Sequence, residues 1–139
     1  MLSTILIFIF VLGLLVLAHE LGHFYAARRA GVKVEEFGIG FPPRLFSITR
    51  GDTRYSLNFI PLGGFVKIFG EQGEGATDPQ SFASKSIATR IGIVSAGVIM
   101  NVVLAYVLLT GGYVYGLPTT LDDDASNARD IAIAVVSVL

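Results

Sequence analysis

The chain's only two histidines stand four residues apart, in His19-Glu20-Leu21-Gly22-His23, an H-E-x-x-H motif. On a helix, positions i and i+4 share a face, so both imidazoles can reach a single metal ion. Glu20 projects roughly 100° away from His19, within reach of a water held by that metal. Two neutral imidazoles suit zinc. A catalytic zinc site adds a third protein ligand and leaves one position for water, whose pKa falls toward ~7 on binding. His19 and His23 are therefore candidate metal ligands, and Glu20 is the candidate general base. Cysteine is absent, which removes disulfides, thiolate ligands and a cysteine nucleophile.

The motif sits at the end of an apolar run. Of 139 residues, 53% are hydrophobic and 15% charged, where soluble domains carry roughly a quarter charged. That balance excludes disorder and points to lipid, and a net charge of −1 argues against nucleic acid as a partner. Leu2 to Ala18 carries no charge, with Ser3 and Thr4 as its only interruptions by hydroxyl side chains. At ~1.5 Å per residue it extends about 25 Å, just short of a hydrocarbon core. Helical continuation to Gly31, a natural C′ residue after Arg28 and Arg29, closes the gap and takes His19, Glu20 and His23 to membrane depth. A second run, Ile91 to Leu117, holds 27 uncharged residues. The competing reading of the first run is a cleaved signal peptide. It lacks a basic n-region and a small-residue cleavage site, so two spans fit better.

Ionisable side chains at a membrane helix are expensive and mark a functional site by default. The bland alternative is a solvated, inert histidine pair just past the hydrophobic section. Nine of the ten Lys and Arg residues lie between the runs, and only Arg129 lies beyond the second. The positive-inside rule then puts residues 28–90 in the cytoplasm and both termini outside it.

Between the spans, Val34 to Ile48, Tyr55 to Ile60 and Phe65 to Phe69 read as strands, with turns at Arg50-Gly51-Asp52 and Pro61-Leu62-Gly63-Gly64. Residues 70–90 read as a polar loop turning at Asp78-Pro79. After Pro118 the tail is acidic, and Asp130 to Leu139 reads as a strand without a partner. The expected class is a membrane α-helical protein with two transmembrane helices and a small membrane-associated β-hairpin between them. The segments are 1–30, 31–90, 91–117 and 118–139.

The third zinc ligand is the open question. Asp122, Asp123, Asp124 and Asp130 fall across the bilayer by the charge argument. Glu35, Glu36, Asp52, Glu71, Glu74 and Asp78 show no ligand spacing. Either a loop carboxylate folds back, or the ligand lies beyond residue 139. Asn101, mid-span, needs a hydrogen-bond partner, and Gly97-x-x-x-Asn101 reads equally well as helix packing. The 55–69 segment offers a strand edge for an extended substrate, or a hairpin that only seals the site.

Three segments, HELGHFYAARRAGVKVEEFGIGF, IPLGGFVK and SFASKSIATRIGIVSAGVIMN, resemble in order and spacing the site-2 proteases. The closest resemblance within that family is to the bacterial regulator-of-sigma-E protease group. The resemblance implies an intramembrane zinc metalloendopeptidase of the bacterial inner membrane, with Zn2+ on His19 and His23 and Glu20 as base. Its substrate would be a single-pass membrane protein of the anti-sigma-factor type. It also implies a substrate-handling β-loop at Gly64, Phe65 and Lys67, and an element facing the active site at Gly97 and Asn101. In that family a periplasmic PDZ module and a helix with an L-D-G aspartate follow, the aspartate being the third ligand. Residues 118–139 would then begin a truncated PDZ-like domain. The alternative is a catalytically inactive remnant or scaffold that lacks this ligand. The chain departs from the pattern at Gly40-Phe41-Pro42-Pro43, where the family often has G-F-G-P, and at Ala96-Gly97-Val98, where it has A-G-P.

Overall fold

A computed structural model describes residues 1–116, in the order α1 (Leu2–Arg29), β1 (Val34–Arg50), β2 (Thr53–Ile68) and α2 (Ile87–Tyr115). The acidic tail and the strand expected over 130–139 lie outside the described residues. Both helices are long and apolar enough to cross a membrane. Apart from their packed faces they expose large apolar side chains, Phe8, Phe10, Val98 and Val102 among them.

Sequence chemistry sets the helix ends. Gly31 follows α1 at φ +67°, and its N–H donates to Arg28 O while Val32 N–H donates to Ala27 O. This pair of bonds closes a Schellman motif that satisfies the last carbonyls, and Arg28 and Arg29 lie in the last turn, where cations oppose the helix dipole. α2 opens at Ile87, one turn before the uncharged run, because Ser86 Oγ accepts the Thr89 N–H at 3.3 Å as an N-cap.

β1 and β2 are antiparallel, and their register shifts along the length. Residues 36–39 of β1 have partners on both edges, at 54–57 and at 64–67 of β2. The Pro61–Gly64 stretch, expected as a turn, lies inside the span Thr53–Ile68 and reverses the chain there, since 36–39 of β1 pair with 54–57 in ascending order and with 64–67 in descending order. Ile39 pairs with Leu57 before the reversal and with Gly64 at its end. Gly63 makes the change possible with φ +104°, packed where a Cβ would come 3.1 Å from Val16 of α1. Asn58 ties β1 at its own bend, donating to Ile39 O and Gly40 O at 3.3 and 3.1 Å. Glu36, 8% exposed, accepts from Arg44 at 2.9 and 3.1 Å and faces Arg54 at 3.7 Å.

The core is where α1 meets the sheet. Phe24, Ala27, Val32, Val34, Phe37 and Ile68 are buried together with Phe82 and Ile93. Phe24 packs edge-on to Phe37 at 5.3 Å and to Tyr55 at 6.1 Å, a favoured aromatic geometry. The far half of the sheet instead exposes Leu45, Phe46, Ile48, Phe59 and Leu62. The 70–86 segment, expected as a loop, is closely hydrogen-bonded. Phe82 N–H donates to Phe69 O at 2.8 Å, Lys33 N–H to Gln80 O at 2.9 Å, and the buried Ser81 hydroxyl to Glu74 O at 2.7 Å.

Residues Met1–Leu104 form one compact unit, which contains α1, both strands and the first section of α2. The described part of the second unit, from Ala105, is the last section of α2, where Thr110 Oγ1 donates to Tyr106 O at 2.8 Å.

Candidate metal centre

The helical spacing of His19 and His23 brings their Nε2 atoms to 3.0 Å from each other. Two imidazoles on tetrahedral zinc, at ~2.0–2.1 Å each, hold their nitrogens roughly 3.3 Å apart. The pair therefore fits one zinc ion after an opening of a few tenths of an ångström. The rings stand edge-to-face, 79° apart, so neither covers the point where the two nitrogens converge.

α2 shapes this pair. Gly97 is buried against it, and a Cβ there would sit 2.5 Å from His23 Nε2 and 2.6 Å from His19 Nε2. Only a glycine leaves the space. One turn earlier on α2, Ile93 O accepts the Nδ1 hydrogen of His23 at 2.8 Å. A carbonyl can only accept, so His23 carries its hydrogen on Nδ1 and presents a lone pair at Nε2, as a metal ligand must. One turn later, the Asn101 amide nitrogen lies 3.4 Å from His19 Nδ1. Helix approach at this level depends on Gly22, where any Cβ would overlap the backbone of Ala96.

β2 supplies the opposite wall. Glu20, His23, Phe65, Val66 and Glu71 line one cleft of about 320 Å³ with Ile93 and Val94 of α2. The Phe65 ring lies over Gly38, where a Cβ would come 2.5 Å from Cζ, so the glycine of β1 seats the aromatic side chain. A Cβ on Gly64 would lie 2.8 Å from Gly38 O, too close for backbone, and 3.8 Å from Glu20 Cγ.

The structure thus gathers His19, Glu20, His23, Gly64, Phe65, Gly97 and Asn101. Lys67 is not among them. Its ammonium donates to Glu35 at 2.8 Å, its side chain is exposed, and it does not line the cleft that Phe65 and Val66 line. The Glu35 carboxylate raises the Lys67 pKa above its ordinary value, through the hydrogen bond first and its charge second, and keeps it cationic. Among the described residues no group of three His, Cys, Asp or Glu side chains is arranged to hold a metal. The idea that a described loop carboxylate folds back as the third ligand therefore finds no support. Glu71 shares the cleft but does not complete the set.

Sequence reading missed three contributors. Ile93 acts through a backbone carbonyl, which leaves no mark in the sequence. Gly38 acts by lacking a side chain in the strand beneath Phe65. Gly22 was findable, since Ala18, Gly22 and Ala26 form a small-residue stripe at four-residue spacing, the usual signal of close helix approach.

Converging imidazoles with a carboxylate beside them, on a helix apolar enough to cross a membrane, form the arrangement that an H-E-x-x-H motif presents. The sequence model of peptidase family M50 matches residues 7–139. A Clostridium acetobutylicum protein, whose name describes it as an inferred zinc metalloprotease, is 49% identical over 105 residues, covering 76% of this chain and 31% of that protein. Protease RseP of Yersinia pestis is 44% identical over 116 residues, covering 81% of this chain and 26% of its own length. The chain belongs to peptidase family M50, the zinc-dependent site-2 proteases. It spans between about a quarter and a third of the length of the curated relatives it matches.

Proposed function

We propose that this chain carries the histidine half of an intramembrane zinc endopeptidase that cleaves a single-pass membrane protein within or near its transmembrane segment. The observation that carries the reading is the 3.0 Å convergence of His19 and His23 Nε2 beside Glu20, in a cleft walled by β2. Bound zinc supplies Lewis acidity to the scissile carbonyl and to water. Glu20 takes a proton from the attacking water as its oxygen bonds to the carbonyl carbon. It then delivers that proton to the departing amine as the C–N bond breaks. The exposed apolar half of the sheet suits burial in the bilayer.

A helical peptide bond is shielded by its own hydrogen bonds, so the substrate must be extended before it is cut. An edge of β2 beside Phe65 offers backbone groups for that purpose. The resemblance to the regulator-of-sigma-E group supports a membrane-anchored regulator of the anti-sigma-factor type as substrate. Charge counting supports residues 28–90 on the cytoplasmic side of the bacterial inner membrane, with both ends of the chain on the other side. Gly64 and Phe65 then serve the substrate, while Lys67 serves an interfacial ion pair.

A second reading is favoured by one observation. Since no three-residue ligand set occurs among the described residues, the chain alone would bind metal weakly and not turn over. One experiment separates the two. A full-length family M50 protease in which residues 1–116 of this chain replace the matching segment is reconstituted in lipid with a single-pass model substrate, as wild type and as Glu20→Gln. Cleavage that falls by roughly 10²–10⁴-fold in the variant with zinc retained supports the endopeptidase. Absence of cleavage from the wild type supports the scaffold.

A further inference from the structure

A second cavity, of about 230 Å³, lies between the last turn of α1, the residues just beyond it and the turn that joins β1 to β2. Three of its lining residues are cations: Arg28 on α1, Lys33 after it and Arg50 at the turn. Asp52 is the one carboxylate among the lining residues. A fourth cation stands close by, since a Cβ on Gly31, also part of the wall, would lie 3.7 Å from Lys85 Nζ. The ion pairs among the described residues use Arg44, Arg54 and Lys67. None of these four cations is paired among those residues. Their backbone supports are fixed nonetheless. Lys33 N–H donates to Gln80 O at 2.9 Å, and Thr53 Oγ1, beside the turn, donates to Val34 O at 2.9 Å. The Arg28 guanidinium rests over the Phe24 ring, 5.6 Å from its centre.

Like charges gathered by a fold repel one another, and a concave wall of one sign focuses its field on an anion. Depth supplies the second argument. α1 has 28 residues and so extends about 42 Å, against ~40–45 Å for a bilayer with its headgroups. A span that starts at one surface therefore carries Arg28 to headgroup level at the other. We propose that this cavity binds a phosphate group, and that an anionic lipid headgroup is the source its depth favours. Arg28 and Arg50 offer planar forks to pairs of phosphate oxygens, and Lys33 adds a point charge. The site is separate from the metal centre, because no residue lines both cavities. A headgroup held here fixes the depth of α1, and with it that of His23, five residues back. The lipid source rests on α1 spanning a bilayer; neither zinc nor peptidase activity is needed.

The test uses the 139-residue chain in a neutral detergent at constant ionic strength. It is titrated with phosphatidic acid or phosphatidylcholine doped into the micelles, and separately with inorganic phosphate. Binding is read from the 31P line shape and from the backbone amide shifts of Gly31 and Gly51. Phosphatidic acid is expected to saturate the site and shift both amides. Lys33→Gln and Arg50→Gln should each weaken it roughly tenfold. Arg29→Gln removes the same charge beside Arg28 but outside the cavity lining, and should change affinity by less than about twofold. Asp52→Asn removes the only negative charge of the lining and should tighten binding, a gain that misfolding cannot imitate. Saturation by inorganic phosphate and not by phosphatidic acid would keep the phosphate site and move its source to a soluble ligand. Saturation by neither would overturn the proposal. So would phosphatidylcholine binding as tightly as phosphatidic acid, or equal losses in Arg29→Gln and Arg50→Gln, the mark of diffuse surface charge.

Discussion

Gly97 of α2 faces His19 of α1 so closely that a Cβ on it would lie 2.6 Å from both Cε1 and Nε2 of the imidazole. Every other feature of the centre follows from this approach, because it brings the Ile93 carbonyl and the Asn101 amide within reach of the two rings. A membrane helix pair gains little from hydrophobicity when lipid is as apolar as its side chains. Close packing of small residues therefore has to hold it.

Gly97→Ala pushes a methyl group into the space between the imidazoles. Zinc affinity is expected to fall by roughly 10–100-fold, the range seen when ligand orientation is lost. Helix content by circular dichroism should stay unchanged. Gly92→Ala is the control, since a Cβ there meets nothing within 4 Å, and it is expected to be neutral or stabilising by up to about 1 kcal/mol. Equal zinc affinity in the two variants would mean that α2 does not lie against the pair.

Gly22→Ala acts one step back. Its Cβ meets the Ala96 backbone, which cannot rotate away as a side chain can. Separating the helices should cost about 1–3 kcal/mol, read as a lower unfolding midpoint in detergent, and should weaken zinc as well. A variant as stable as wild type would contradict the helix contact.

Glu36→Gln tests the bend of β1. The variant keeps the shape and removes the charge that both Arg44 and Arg54 face. Arg44 is 44% exposed in its side chain, so solvent screening limits the expected loss to about 1–2 kcal/mol. Lys67→Met, which breaks an exposed pair, should leave the unfolding midpoint close to that of the wild type. Guanidinium would mask both effects by screening, so urea is the denaturant to use.

Much of this was legible in the sequence, and the parts that were share a physical origin. The motif, the two apolar runs, the glycine at the end of α1 and the strand segments are local patterns, each contained in a few tens of residues. The rest depends on tertiary approach. His23 and Ile93 are 70 residues apart and Asn101 and His19 82, and nothing local announces which carbonyl will meet which ring. The Pro61–Gly64 stretch carries turn residues and the chain does reverse there, but the sequence did not show that the two arms would pair on either side of residues 36–39 of β1. Lys67 misled for a similar reason, since its i+2 spacing from Phe65 predicts a shared face, and only the folded structure shows its ammonium drawn to Glu35.

The most direct test of the central claim is zinc affinity of the purified chain, by titration against a competing chelator, for wild type, His19→Ala and His23→Ala. The account predicts one zinc per chain for the wild type and a loss of at least roughly 100-fold in affinity for either alanine, since each removes half of the imidazole pair. Zinc bound equally by all three would contradict it, and would leave His19 and His23 as an interfacial pair with no metal to hold.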